Sequence, residues 1–224
     1  MPRRFLRLTR PLAALGVAAG LTVGLAQHTT SAAFTATTGD TGNSVTAATS
    51  FCASPGGTTL TASADTTTYQ QSPTTAYGSS VDIGVGSYTG GNGRMLVKFT
   101  LPALGAHCVV TAGTLRLYAH NPETGRTIDV YRVDPAAPAW SEATTHWNNQ
   151  PTTTGTAVGT SSLVSAGWQQ WTVTSMVSTF YSGTNSGFYL RDRTESSGSA
   201  LWQLYASREN ATTAQRPQLV LTWG

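Results

Sequence analysis

Hydrophobic residues recur at every second position through much of the chain. In "RMLVKFTL" (94–101), Met95, Val97, Phe99 and Leu101 share one side, and Arg94, Leu96, Lys98 and Thr100 the other. "AGTLRLYAH" (112–120) repeats the pattern, with Leu115, Leu117 and Ala119 on one side and Arg116 and Tyr118 on the other. A period of two is that of a half-buried β-strand. Further strands are predicted at 58–69, 79–88, 126–133, 156–164, 167–173, 187–192, 200–209 and 217–223. Turn chemistry separates them, as in "GGNG" (90–93), "NPETG" (121–125) and "SGTNSG" (182–187). One segment changes period. "TSMVSTFYSG" (174–183) sets Met176, Val177, Phe180 and Tyr181 at helical spacing, with Thr174 or Ser175 to cap it and Gly183 to end it. The pattern predicts an all-β fold, an antiparallel β-sandwich or jelly roll, with one short helix closing one end.

The start of the chain departs from this pattern. Arg3, Arg4, Arg7 and Arg10 precede the apolar run "PLAALGVAAGLTVGLA" (11–26) and then small residues. A basic head, a short apolar stretch and small-residue cleavage positions make residues 1–33 a secretory signal peptide. The run is broken by glycines and short for a bilayer span, so no permanent membrane anchor is expected. Residues 34–58 form a Thr/Ser/Ala-rich lead-in, read either as a short hairpin or as a linker. The stretch "SAAFTATTGDTGNSVTAATSFCASPGG" (31–57) also resembles the mature start of camelysin-type secreted bacterial fibre proteins. The sandwich domain is placed at 59–224.

Export changes the charge balance. The chain has 13 Lys+Arg against 10 Asp+Glu, and losing the four leader arginines leaves nine against ten. A nucleic-acid partner requires a basic surface, and this near-neutral balance implies none. Cys52 and Cys108 are the two cysteines, and in an exported chain they are expected to pair. The bridge would span 56 residues and contribute about 4 kcal/mol by restricting the unfolded chain.

Motifs for catalysis are missing. There is no Gly-x-Ser-x-Gly elbow, His-Glu-x-x-His pair, Cys-x-x-Cys or phosphate loop. His28, His107, His120 and His146 lack metal-ligand spacing. No two of the acids stand out as a glycosidase pair. Aromatic residues point instead to binding, because ring faces stack on the C–H faces of sugars. Trp140, Trp147, Trp171 and Trp202 are read as core or corner residues, and Tyr77, Tyr88, Tyr118 and Tyr189 as candidates for exposure.

Seven blocks, in order, then carry a resemblance. They are "ADTTTYQQSPTTAYGSSVDIGVGS" (64–87), "RMLVKFTLPAL" (94–104), "VTAGTLRLYAH" (110–120), "WSEATTHWNNQP" (140–151), "WTVTSMVSTFYSG" (171–183), "GFYLRD" (187–192) and "YASRENATTAQRPQLVLTW" (205–223). Together they resemble the DNRLRE-type domain of secreted bacterial proteins, also classed as carbohydrate-binding module family ninety-six. Thr100 and Thr172 stand where that family usually has acids. The resemblance implies a jelly-roll β-sandwich and a non-catalytic, extracellular or cell-surface role in binding polysaccharide, with acidic polysaccharides among the ligands of some members. It also implies that Trp140–Pro151 is a family corner, read as structural in preference to a sugar contact. Glu142 is expected to bond backbone or pair with an arginine there, and Asn148 and Asn149 to take positive-φ turn positions.

For an acidic glycan, Lys98, Arg116, Arg132 and Arg191 are the candidate cations and Tyr118 the candidate ring. Arg193 and Arg208 are further basic residues on late strands. Guanidinium groups pair carboxylates with two hydrogen bonds, while the alternative is ordinary surface arginines. Asp65, Asp82 and Glu209 are candidate ligands for a structural Ca2+. Two other functions stay open: a structural or adhesive cell-surface protein, and a polysaccharide-degrading enzyme with an unrecognised site.

Overall fold

A computed structural model gives the structure of the protein and describes residues 51–88, 90–197 and 201–224. The expected signal peptide at 1–33 and most of the 34–58 lead-in lie outside the described residues. The strands are β1 (Gly56–Thr61), β2 (Ala64–Tyr69), β3 (Asp82–Tyr88), β4 (Gly91–Lys98), β5 (Val110–Asn121), β6 (Thr127–Val133), β7 (Thr153–Ser161), β8 (Gly167–Thr172), β9 (Phe188–Asp192), β10 (Leu201–Ala206) and β11 (Gln218–Trp223). One helix, α1 (Thr174–Ser182), lies between β8 and β9.

Two long strands organise two layers. Along β5, β11 pairs with residues 110–116 and β10 with 119 and 121, while β8 pairs with 114–119. Along β4, β3 pairs with 91–93 and β2 with 93–98, while β9 pairs with 94–97. One layer is therefore β1-β11-β5-β8 and the other β2-β4-β9-β6-β7, joined through β10 and β3. Every pairing is antiparallel. This is an all-β sandwich of jelly-roll type with one short helix.

The core follows from the alternation. Leu115, Leu117, Trp171, Leu219 and Leu221 of one layer meet Met95, Val97, Ile128, Val130, Phe188 and Leu190 of the other in one buried cluster. Trp171 is 1% exposed, and its indole N–H donates to the Ile128 carbonyl at 2.9 Å, which satisfies the polar edge of a core tryptophan. The helix closes the cluster with Met176, Val177 and Phe180. Its N-cap is Val173, without a side-chain cap, rather than Thr174 or Ser175. The Thr174 hydroxyl is taken up by the Gly113 N–H, so it ties the helix to β5 instead of capping it.

The expected strand at 58–69 is two strands. Ala62 N–H bonds the Pro217 carbonyl next to β11, and Ser63 N–H bonds the Lys98 carbonyl on β4. Consecutive residues thus serve different layers, and the chain crosses between them at that point. The expected turn at 90–93 is shorter: Gly90 has φ 91°, and Gly91–Gly93 are already in β4. Gly93 is required for a different reason. Trp202 lies against it so closely that a Cβ would sit 2.0 Å from the ring. Tyr69 and Tyr88 pack on Trp202 at centroid distances of 5.1 and 5.9 Å, which makes a second aromatic group beyond the core. The pair Cys52–Cys108 is a disulfide.

Candidate functional site

The outer face of β4, β9 and β6 carries a second, smaller apolar layer. The register sets Leu96 beside Tyr189 and Tyr189 beside Tyr131. Leu96, Val133 and Tyr189 are buried there, with Tyr131 and Trp140 packed on them. Tyr189 is 3% exposed, so it is buried rather than exposed as expected. Its cover is the 140–151 stretch, which is a structural corner.

That corner is held by its own polar residues. The Asn149 side chain accepts from the His146 N–H at 2.7 Å and donates to the Thr144 carbonyl at 3.0 Å. Residues 147–149 form a 3-10 turn, and neither Asn148 nor Asn149 takes a positive φ. The side chain of Asn149 closes the turn by capping it, which removes the need for a left-handed residue. The Gln150 side-chain oxygen accepts from the Tyr189 hydroxyl at 2.7 Å and from the Thr68 hydroxyl at 3.1 Å. Glu142 accepts from the Asp65 N–H at 3.2 Å and pairs with Arg208 at 3.1 Å, so it meets both expectations.

Beside the corner runs a cleft of about 330 Å³ lined by Arg94, Gln150, Pro151, Thr152, Thr153, Tyr189 and Arg191. Its two guanidinium groups differ. Arg94 is locked: both Glu195 oxygens accept from it at 2.6 and 2.8 Å, Tyr189 accepts at 3.0 Å, and Trp147 stacks on it at 4.4 Å. Burial lowers its proton affinity, but the Glu195 and Tyr189 contacts outweigh that and hold it above the ordinary arginine value. The Tyr189 hydroxyl is pushed up to about 12, chiefly by burial, and so acts as a neutral donor. Arg191 has no acid. It donates to the Tyr131 hydroxyl at 2.8 Å and stacks on that ring at 4.7 Å. Asp129 stands across from it in register but is held by Arg193 through two bonds, at 2.7 and 3.1 Å.

The same distinction sorts all the cations. Among the described residues, Arg94, Arg126, Arg193 and Arg208 pair with carboxylates. Lys98, Arg116, Arg132, Arg191 and Arg216 do not. The four candidate glycan cations therefore all lack an acid, whereas Arg193 and Arg208 are neutralised. The structure does not gather the four in one place. Lys98, Arg132 and Arg191 lie on β4, β6 and β9 of one layer; Arg116 and Tyr118 lie on β5 of the other. Lys98 lines a separate hollow of about 100 Å³ with Asp134, Trp140 and Asn185.

The candidate metal ligands also divide. Asp65 and Glu209 come together with Glu142 around Arg208: the Arg208 N–H donates to Asp65 at 2.8 Å and its guanidinium to Glu209 at 2.6 Å. Asp82 instead faces His120 at 3.3 Å and Asn210 at 3.5 Å. Among the described residues no three His, Cys, Asp or Glu side chains are arranged to hold a metal ion. Burial raises Asp65 to about 7, helped by the charges of Glu209 and Glu142 and opposed by the Arg208 backbone bond. Buried in this way, Asp65 leaves one carboxylate oxygen without a partner, as does Glu209.

Arg94, Tyr131, Gln150 and Thr152 are cleft or support residues that the sequence did not single out. The alternation does put Arg94 on the outward side with Lys98, and Gln150 closes the corner motif, so both were within reach.

Two comparisons bear on this geometry. No curated protein matches the chain. The model of carbohydrate-binding module family 96 matches residues 57–223, the span from the second residue of β1 to the last of β11. A sandwich that presents stacked arginine and tyrosine beside a polar corner, matched over that length, belongs to carbohydrate-binding module family 96.

Proposed function

We propose that this carbohydrate-binding module binds an acidic polysaccharide, outside the cell and without cleaving it, through the cleft at Arg191. The observation that carries this reading is the Arg191 guanidinium itself, half-buried, stacked on Tyr131 and without a carboxylate partner. Stacking fixes the plane of the group and turns its remaining N–H donors outward, in the geometry that meets a carboxylate with two bonds. Thr152 and Thr153 line the same cleft and suit sugar hydroxyls. Lys98, outward on β4 of the same layer, adds positive charge on that face, whereas Arg132 is paired with the core residue Phe188 and belongs to the other side of the sheet. Glycoside cleavage needs two carboxyl groups across the scissile bond, and the described lining of the cleft has none. The Cys52–Cys108 bridge supports an oxidising, extracellular setting.

Affinity electrophoresis through gels containing neutral or acidic polysaccharides tests the reading. A polyuronate should retard the protein, a neutral glucan should not, and Arg191→Ala should weaken retardation at least tenfold without a change in Tm. Retardation by neutral glycans alone would overturn the acidic specificity. No retardation by any glycan would favour a structural or adhesive role for the domain.

A further inference from the structure

The combination seen at Arg191 occurs again on β5. Arg116 is half-buried and has no acid partner. One of its terminal nitrogens donates to Gln218 at 3.2 Å, and the guanidinium lies 4.6 Å over the ring of Trp168. Its Nε is buried and without a partner. Tyr118 meets the edge of Trp168 at 5.5 Å, and His120 continues the strip at 5.5 Å from Tyr118. The register makes this strip continuous: Arg116 stands between Gln170 on β8 and Gln218 on β11, and Tyr118 is beside Trp168.

The strip faces away from the cleft. Leu115 and Leu117 point into the core from one layer, and Leu190 points into it from the other. Side chains alternate along a strand, so Arg116 and Tyr118 project outward on one side of the sandwich and Arg191 on the opposite side. With layers about 10 Å apart and side chains added on both faces, the two guanidinium groups are separated by roughly 20 Å.

We propose that the Arg116–Tyr118–Trp168 face is a second contact surface for acidic glycan, so that one molecule bridges two polysaccharide chains. This rests on the acidic-glycan reading of the cleft. The Trp168 stack and the single bond to Gln218 leave the Arg116 charge without a counter-ion, and a cation on a surface ring gains little by itself. An anionic ligand lying along the strip pairs with the terminal nitrogens and neutralises that charge, while the buried Nε stays out of its reach. The half-buried Trp168 ring and the Gln170 and Gln218 amides supply the apolar face and hydrogen bonds that a sugar ring requires. Two sites on opposite faces make the domain a cross-link, and its avidity for long chains then exceeds that of either site.

Calorimetric titration of the protein with a uronate trisaccharide, too short to reach both faces, tests the proposal. Two equivalents should bind the native protein. Arg116→Gln should remove one and Arg191→Ala the other, and the double variant should bind none. With a long polyuronate the native protein should precipitate near equivalence, while either single variant binds and leaves the solution clear. Trp168→Ala should remove the same site as Arg116→Gln, and Arg116→Gln, which retains an amide, carries the test if the tryptophan variant proves unstable. A single site abolished by Arg191→Ala and untouched by Arg116→Gln would overturn the second face and leave the cleft standing. A single site lost with Arg116→Gln alone would overturn bridging and move glycan binding to β5. No binding of uronate by the native protein would overturn the acidic-glycan reading, and the bridge with it.

Discussion

Gly78 sits beneath the corner at Glu142, where a Cβ would lie 2.1 Å from the Glu142 carbonyl oxygen. The obstacle is backbone, so no side-chain rotation relieves it. Gly78→Ala must push the corner off the sheet, at a cost of about 1–3 kcal/mol. A fall in Tm of roughly 5 °C is expected for a domain of this size, and an unchanged Tm would mean that the corner is looser than it looks. The Glu142 side chain leads on to Asp65, 1% exposed and raised to about 7 by burial. In the unfolded chain Asp65 ionises near 3.9. Between those values the folded state holds a proton that the unfolded state has lost. Stability is therefore full below about pH 4, falls as pH rises through about 7, and levels off above. Asp65→Asn keeps an oxygen for the Arg208 N–H and removes the like charge near Glu142 and Glu209. Thermal melts from pH 4 to 8 should show a flatter profile for the variant and a gain in stability at pH 8 on the order of a few kcal/mol. Parallel profiles for the two proteins would mean that Asp65 does not titrate in this range.

Among the elements, β4 and β5 are legible in the sequence because one of their faces is apolar and the other is not. β2 is not legible in the same way: Asp65, Thr66, Thr67 and Thr68 are polar, consecutive and all buried, because the strand is enclosed on both faces. The Thr67 hydroxyl accepts from the Gly84 N–H and the Thr68 hydroxyl donates to Gln150, so each side of the strand finds its own partner. Alternation also assigns a residue to a face but not to a layer. Lys98 and Arg116 both read as outward-facing cations, and only the pairing of β4 with β9 and of β5 with β11 separates them. The family corner was legible as an element, from its two tryptophans and its asparagines, while its 3-10 geometry depends on the Asn149 cap. The disulfide was legible from the cysteine count together with the expected export. It joins the segment before β1 to the loop between β4 and β5, across 56 residues. Cys52→Ser/Cys108→Ser should lose about 4 kcal/mol in urea unfolding, and the native protein should lose the same amount in reductant. A much smaller loss would mean that the unfolded chain is already restricted there.

At the scale of the molecule, the described chain carries nine Lys or Arg against nine Asp or Glu, so its attraction for an anion is local rather than global. On the acidic-glycan proposal, selectivity then falls to those few guanidinium groups that the fold leaves without acids. The ends of the domain add a mechanical property. β1 and β11 run antiparallel with Gly56 beside Trp223, and the Trp223 indole donates to the Ser54 carbonyl at 2.8 Å. Val109 and Gly224 exchange two backbone bonds of 3.1 Å, one residue from Cys108. A pull applied between residue 51 and residue 224 is therefore carried from Cys52 through the sulfur bridge to Cys108, and β1 is bypassed. It reaches the β5–β11 ladder at its open end, where bonds break one after another instead of sharing the force. Under tension from its two ends the sandwich behaves as a zipper with a covalent pull-tab, and it yields first along β11.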